Sequence, residues 1–107
     1  MLYFLNTAIL PNPGRYDYQE ISLDEALNLW NASSNRMSAI GHPATCQVLN
    51  GLGFDIQNNR IEIKMESGDS ALVFKLNKRL EEGKVLNKEE ILNMGFFFAL
   101  LKCEKNY

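Results

Sequence analysis

The sequence has few of the residues that metal and disulfide sites require. Its 107 residues include two cysteines and one histidine. Cys46 and Cys103 are far apart and lack the paired spacing of zinc ligands, so we expect no zinc site and predict reduced thiols in an intracellular protein. We accordingly expect neither a bound metal nor a cofactor.

Basic charge and long apolar runs are also scarce. A net charge of −2 and a pI near 5.4 argue against a coat protein for double-stranded nucleic acid, which needs a basic stripe. No stretch approaches the roughly 20 apolar residues of a membrane span, and the apolar start Met1–Leu5 lacks the basic leader of a signal peptide. The length fits one domain over residues 1–107. We therefore predict a cytosolic, single-domain protein without a membrane partner.

Local patterns predict an α/β (α+β) fold, with about five strands in a mixed sheet and about three helices. Expected strands are Leu2–Ala8, Tyr16–Ile21, Arg60–Met65, Ala71–Asn77 and Phe96–Leu101. The strict alternation of Arg60–Met65 indicates a half-exposed strand that forms a hairpin with Ala71–Asn77. Three helices are expected: one follows the cap Ser22, one begins at Pro43, and one follows the cap Asn87.

His42, the single histidine, lies where a loop turns into the second helix. Gly41 precedes it, and Pro43 is a residue typical of the first helical position. The free N–H groups at a helix start bind phosphate well. A histidine beside them can give a proton to a leaving oxygen near neutral pH, although a lone histidine is more often a surface or core residue. The pattern favours phosphate chemistry.

Arg79 and Glu82 are the next candidates, in the charged stretch Lys78–Gly83. A solvated turn is the ordinary interpretation. In the functional one, Arg79 binds a phosphate and Glu82 orients His42 or keeps it protonated.

The predicted hairpin carries two further cations, Arg60 and Lys75, for which cross-strand charge pairing is the ordinary explanation. The sequence shows no glycine-rich phosphate loop, no metal-ligand cluster and no Ser-His-Asp pattern.

Taken together, these segments resemble the small ring nucleases of archaeal viruses, phages and mobile elements, which act as anti-CRISPR proteins against type III immunity. The resemblance is carried by Ile40–Thr45, Asn59–Lys64, Arg79–Lys84 and Glu89–Leu92, and the opening Tyr3–Ala8 is compatible with it. It covers most of the chain.

The resemblance implies a homodimer that encloses cyclic tetraadenylate and cleaves it without metal, leaving linear adenylates that end in a 2′,3′-cyclic phosphate. Carried over to this chain, the implied roles divide into catalysis and substrate binding. His42 would be the general acid and Glu82 the assisting carboxylate. The implied substrate-binding residues are Arg79, Arg60, Gly41, Thr45, Asn6 and Lys75.

A two-fold dimer suits a ring with rotational symmetry, because it would place one His42 on each side of the ring. Two alternatives stay open. In one, the protein is a non-catalytic anti-CRISPR protein whose partner is a CRISPR effector subunit. In the other, it sequesters the nucleotide without cutting it.

Overall fold

A five-stranded mixed sheet organises the protein. The computed structural model describes residues 1–7, 12–77 and 87–106. In chain order the elements are β1 (Leu2–Leu5), β2 (Gly14–Ile21), α1 (Leu23–Ala32), β3 (Arg36–Ser38), α2 (Pro43–Gly51), β4 (Ser70–Leu76), α3 (Lys88–Met94) and β5 (Phe96–Asn106). The strand order is β2-β5-β4-β1-β3, with β1 parallel to β3 and β4, and β5 antiparallel to β2 and β4. The predicted α+β class is confirmed.

One face of the sheet packs against the helices. A single buried cluster joins strand residues such as Phe4, Leu72 and Phe98 to Trp30 of α1 and Leu49 of α2. The aromatic rings of Phe4 and Trp30 meet edge to face, with their centroids 5.2 Å apart. This apolar layer fixes α1 and α2 on the sheet, and so fixes the start of α2.

The helices begin where their capping residues predict. The Ser22 hydroxyl accepts the backbone N–H of Glu25 at 3.1 Å. Asn87 accepts the N–H of Glu90 at 2.8 Å, and the Glu90 carboxylate accepts the N–H of Asn87 in return. None of the helices in the described part of the chain is long and apolar enough to span a membrane.

The second half of segment 54–66 covers part of the opposite face of the sheet, and this segment contains no strand, so the predicted strand Arg60–Met65 is wrong. Ile63 and Met65 pack on Ala71 and Val73, which gives the alternation that suggested a strand. The Met65 backbone, however, bonds to the side-chain amide of Asn12 at 2.7 and 2.9 Å. Because a side chain supplies these bonds, the segment is extended without joining the sheet.

Two strands of the sheet also differ from the prediction. β4 is present as expected, but its neighbours are β1 and β5 and not a hairpin partner. The three-residue edge strand β3 was not expected, since it follows a polar run with no alternation. It pairs with β1 and leads directly into the loop that carries His42.

Candidate active site

His42 is the N-cap of α2. Its ring Nδ1 accepts the backbone N–H of Thr45 at 3.3 Å and lies 2.9 Å from the Thr45 hydroxyl oxygen. Pro43 occupies the first turn, where a missing N–H costs nothing. The histidine thus serves as the capping side chain, a role that serine or aspartate more often fills.

This cap determines which ring nitrogen carries the proton. A backbone N–H can only donate, so the bond from Thr45 makes Nδ1 of His42 an acceptor and assigns the neutral ring its proton at Nε2. Within residues 1–7, 12–77 and 87–106, Nε2 has no hydrogen-bond partner. As far as the described residues go, the half-buried ring therefore presents an N–H that can donate to a ligand.

The remaining candidates lie at one edge of the sheet, where the carboxyl ends of three parallel strands meet. Asn6 follows β1, the Gly41–His42 loop follows β3, and Lys75 lies near the end of β4. Ligands of open sheets that contain parallel strands bind at this edge. Lys75 is exposed. Its strand β4 is separated from β3 by β1, so these two strands lie about 10 Å apart.

Arg60 packs directly on the residue that precedes His42. A Cβ atom placed on Gly41 would lie 2.6 Å from Cγ and 2.7 Å from Cβ of Arg60. Glycine is thus required here because two chain segments approach each other closely. The structure thus places Arg60 on Gly41, the residue next to His42 in the chain.

Arg60 and Lys75 are exposed cations without acidic partners in the described residues. The ion pair recorded there joins the Met1 amino group to Asp69 at 3.3 Å. The expected cross-strand charge pairing is wrong, since Arg60 is not on a strand and Lys75 lies opposite Phe97. Arg60, next to the loop that begins α2 and without an acidic partner among the described residues, favours an anionic ligand.

Thr45 has a contact that its sequence position did not reveal. Its side chain is 6% exposed, and its hydroxyl faces the His42 ring. Contact between Thr45 and a bound phosphate, and the substrate roles of Asn6 and Gly41, remain predictions. Arg79 and Glu82 lie outside the described residues.

Asn59 was missed as a site residue. Its side-chain Nδ2 donates to the carbonyl of Ser38 at 2.7 Å, and its backbone N–H donates to the carbonyl of Ile40 at 2.8 Å. These bonds join the segment that bears Arg60 to the loop that bears His42. The one hint in the sequence is the amide run Gln57–Asn59, which is more typical of a loop than of the start of a strand.

No group of three or more histidine, cysteine or acidic side chains within the described residues could hold a metal ion. Both thiols are free and buried, and burial raises the pKa of the Cys46 thiol. The groups available at the site are thus an oriented imidazole N–H, a guanidinium and the backbone N–H groups of a helix start.

Comparison with known proteins identifies the family. The model of the STIV B116-like family matches residues 2–98. This chain belongs to that family.

Its relatives come from archaeal viruses and from a bacterium. Uncharacterized protein 26 of Sulfolobus islandicus filamentous virus is 40% identical, over 99% of this chain and 97% of the relative. Protein YddF of Bacillus subtilis is 32% identical, over 92% of this chain and 93% of its own length. The structure of B116 of Sulfolobus turreted icosahedral virus is similar with a TM-score of 0.82 and 31% identity, covering 94% of this chain and 97% of that one. The expected relationship to small viral proteins is confirmed, and the fold is that of B116.

Proposed function

We propose that this member of the STIV B116-like family is a metal-independent ring nuclease. It cleaves cyclic tetraadenylate to linear di-adenylate with a 2′,3′-cyclic phosphate, and so antagonises type III CRISPR signalling in the cytoplasm. The observation that carries the proposal is Nε2 of His42, which has no partner among the described residues, on a loop whose Gly41 packs against the exposed side chain of Arg60. An acid next to an anion-binding cation is what cleavage of a phosphodiester requires.

The reaction uses the nucleophile that RNA already contains. The 2′-oxygen of one adenosine attacks the adjacent phosphorus, the P–O5′ bond breaks, and the ring opens to a 2′,3′-cyclic phosphate. His42 acts in its doubly protonated form, with Nδ1–H donating to the Thr45 hydroxyl. It gives its Nε2 proton to the departing 5′-oxygen and becomes a neutral ring, while the proton of the 2′-hydroxyl is released to water. A positioned acid contributes about 10²–10⁴-fold to such a step.

Phosphate binding is assigned to the cationic and N–H groups of the same edge. Arg60 and the N-terminus of α2 stabilise the charge that develops on the phosphate, and Lys75 and Asn6 contact neighbouring parts of the ring. Arg79 and Glu82 complete the assignment as a second phosphate ligand and as the carboxylate that assists His42. Local cations explain how a chain with net charge −2 binds an anion.

The proposed active unit is a homodimer. Cyclic tetraadenylate has rotational symmetry, and a molecular two-fold places one His42 on each side of it. Two cuts at opposite phosphates then yield two di-adenylates, which accounts for the product.

The test is cleavage of cyclic tetraadenylate by purified protein in EDTA under single-turnover conditions, with products identified by mass spectrometry. Wild-type protein should yield the cyclic-phosphate di-adenylate. His42→Ala and His42→Asn should lose nearly all cleavage but still bind the ring. Intact ring after prolonged incubation with folded wild-type protein would reject the nuclease. Tight binding in that case would indicate sequestration, and capture of a type III effector subunit would indicate a direct inhibitor.

A further inference from the structure

Asn59 makes two hydrogen bonds that have no part in the proposed reaction itself. We propose that Asn59 is a positioning residue that holds Arg60 against the His42 loop, so that both side chains face the same phosphate. This inference rests on the proposed function.

The geometry of the segment explains why one residue can have this effect. Residues 54–66 pass from the helix-covered face of the sheet, where Ile56 is buried, to the opposite face, where Met65 is buried. The Asn50 amide fixes the Ile56 backbone at 2.8 and 3.1 Å, and the Asn12 amide fixes the Met65 backbone. The segment is thus anchored at two distant points.

Between these anchors, Asn59 provides the attachment. Among residues 57–64, the hydrogen bonds recorded to other parts of the described molecule are the two that Asn59 makes, to Ser38 and Ile40. Its neighbour Arg60 then packs on Gly41. Loss of the amide side chain would remove the bond to Ser38 and leave the backbone bond to Ile40, so Arg60 would keep its charge but be held less firmly at Gly41.

The two bonds of Asn59 also set the register. They bracket Ala39, since they go to the carbonyls on either side of it, and this alignment places Arg60 at Gly41. A shift of one residue would bring Asn59 or Ile61 to Gly41 instead. Positioning of this kind matters in catalysis, because a misplacement of about 1 Å can cost about a hundredfold in rate.

The experiment is a double-mutant cycle on single-turnover cleavage of cyclic tetraadenylate. Asn59→Ala and the isosteric Asn59→Asp, which loses the donor, should each lower the rate constant by about tenfold to a hundredfold. In an Arg60→Ala background the same changes should have an effect of about twofold or less, because the function of Asn59 passes through Arg60. Asn50→Ala is the matched control, since it releases the same segment at a point away from Gly41.

The outcomes separate the two proposals. Wild-type protein that leaves the ring intact rejects the nuclease, and with it this inference. Wild-type protein that cleaves normally, with Asn59 variants no slower than Asn50→Ala, rejects the positioning role alone. The positioning role is also rejected if the Asn59 substitutions lower the rate constant by the same factor in the wild-type and Arg60→Ala backgrounds, because a general loss of structure would be independent of Arg60.

Circular dichroism and thermal unfolding show whether each variant is folded. Should the Asn59→Ala variant not fold, the Asn59→Asp variant decides the question.

Discussion

Arg60 fills the space that any side chain at position 41 would need. A Cβ atom on Gly41 would lie 2.6, 2.7 and 3.0 Å from Cγ, Cβ and Cα of Arg60. The last of these is a backbone atom, so rotating the arginine side chain cannot remove the clash. Gly41 also lacks the positive φ found at Gly53, Gly68 and Gly95, which means that packing alone requires glycine there.

Gly41→Ala should therefore displace Arg60 without straining the backbone at position 41. We expect single-turnover cleavage of cyclic tetraadenylate to slow by about tenfold to a hundredfold. Gly51→Ala is the control, since its Cβ would meet Cδ1 of Ile91 at 3.4 Å, the movable end of a side chain. Equal rates for the two variants would contradict the packing argument.

The two roles of His42, capping and proton donation, can be separated by substitution. Asparagine is a good N-cap residue but not an acid, whereas alanine is neither. His42→Asn should stay near wild-type stability, and His42→Ala should lose about 1 kcal/mol of unfolding free energy, measured in urea. Both should be inactive. If His42→Asn cleaves at a rate near that of the wild-type protein, the imidazole does not donate the proton.

The Thr45 hydroxyl should orient the His42 ring. Thr45→Val keeps the buried volume and the backbone N–H bond to Nδ1 but removes the contact at 2.9 Å. We expect cleavage about tenfold slower, because a ring held by one bond is less well oriented. Thr45→Ser restores the hydroxyl and should recover most of the rate. If valine and serine variants are equally slow, the hydroxyl is not what orients the ring.

The sequence predicted the start of α2 because local chemistry determines it. Pro43 at the first helical position and a capping side chain at His42 are signals that depend on a few neighbouring residues. The same holds for the capping box at Asn87 and for the apolar run Phe96–Leu101, which forms an interior strand. These features needed no knowledge of distant contacts.

The path of residues 54–66 could not be predicted in the same way. Ile63 and Met65 alternate with polar residues because the segment is extended over an apolar face, and an extended chain has the same period as a strand. What distinguishes the two is the origin of the backbone bonds, which here come from Asn12 and Asn59, distant in sequence from their partners. The contact of Arg60 with Gly41 follows from those bonds, so it appeared only in the structure.

Burial of ionisable groups makes alkaline pH destabilising. Burial raises the pKa of the Cys46 thiol above its ordinary value of 9.0, and the pKa values of Tyr3 and Tyr16 are raised above 10.0, mainly by burial. A raised pKa means that the unfolded chain releases its proton first as pH increases. The stabilising contribution is therefore complete below the unfolded pKa and is lost as pH rises through the folded one.

The urea midpoint of the wild-type protein should accordingly be flat near neutral pH and fall from about pH 9 upward. Cys46→Ala lowers stability at every pH by removing packing, but its midpoint should not begin to fall until about pH 10, where the tyrosines ionise. The two proteins should therefore differ in the slope of the midpoint between about pH 9 and 10. Identical slopes for the two proteins in that interval would show that the buried thiol is not the group that titrates.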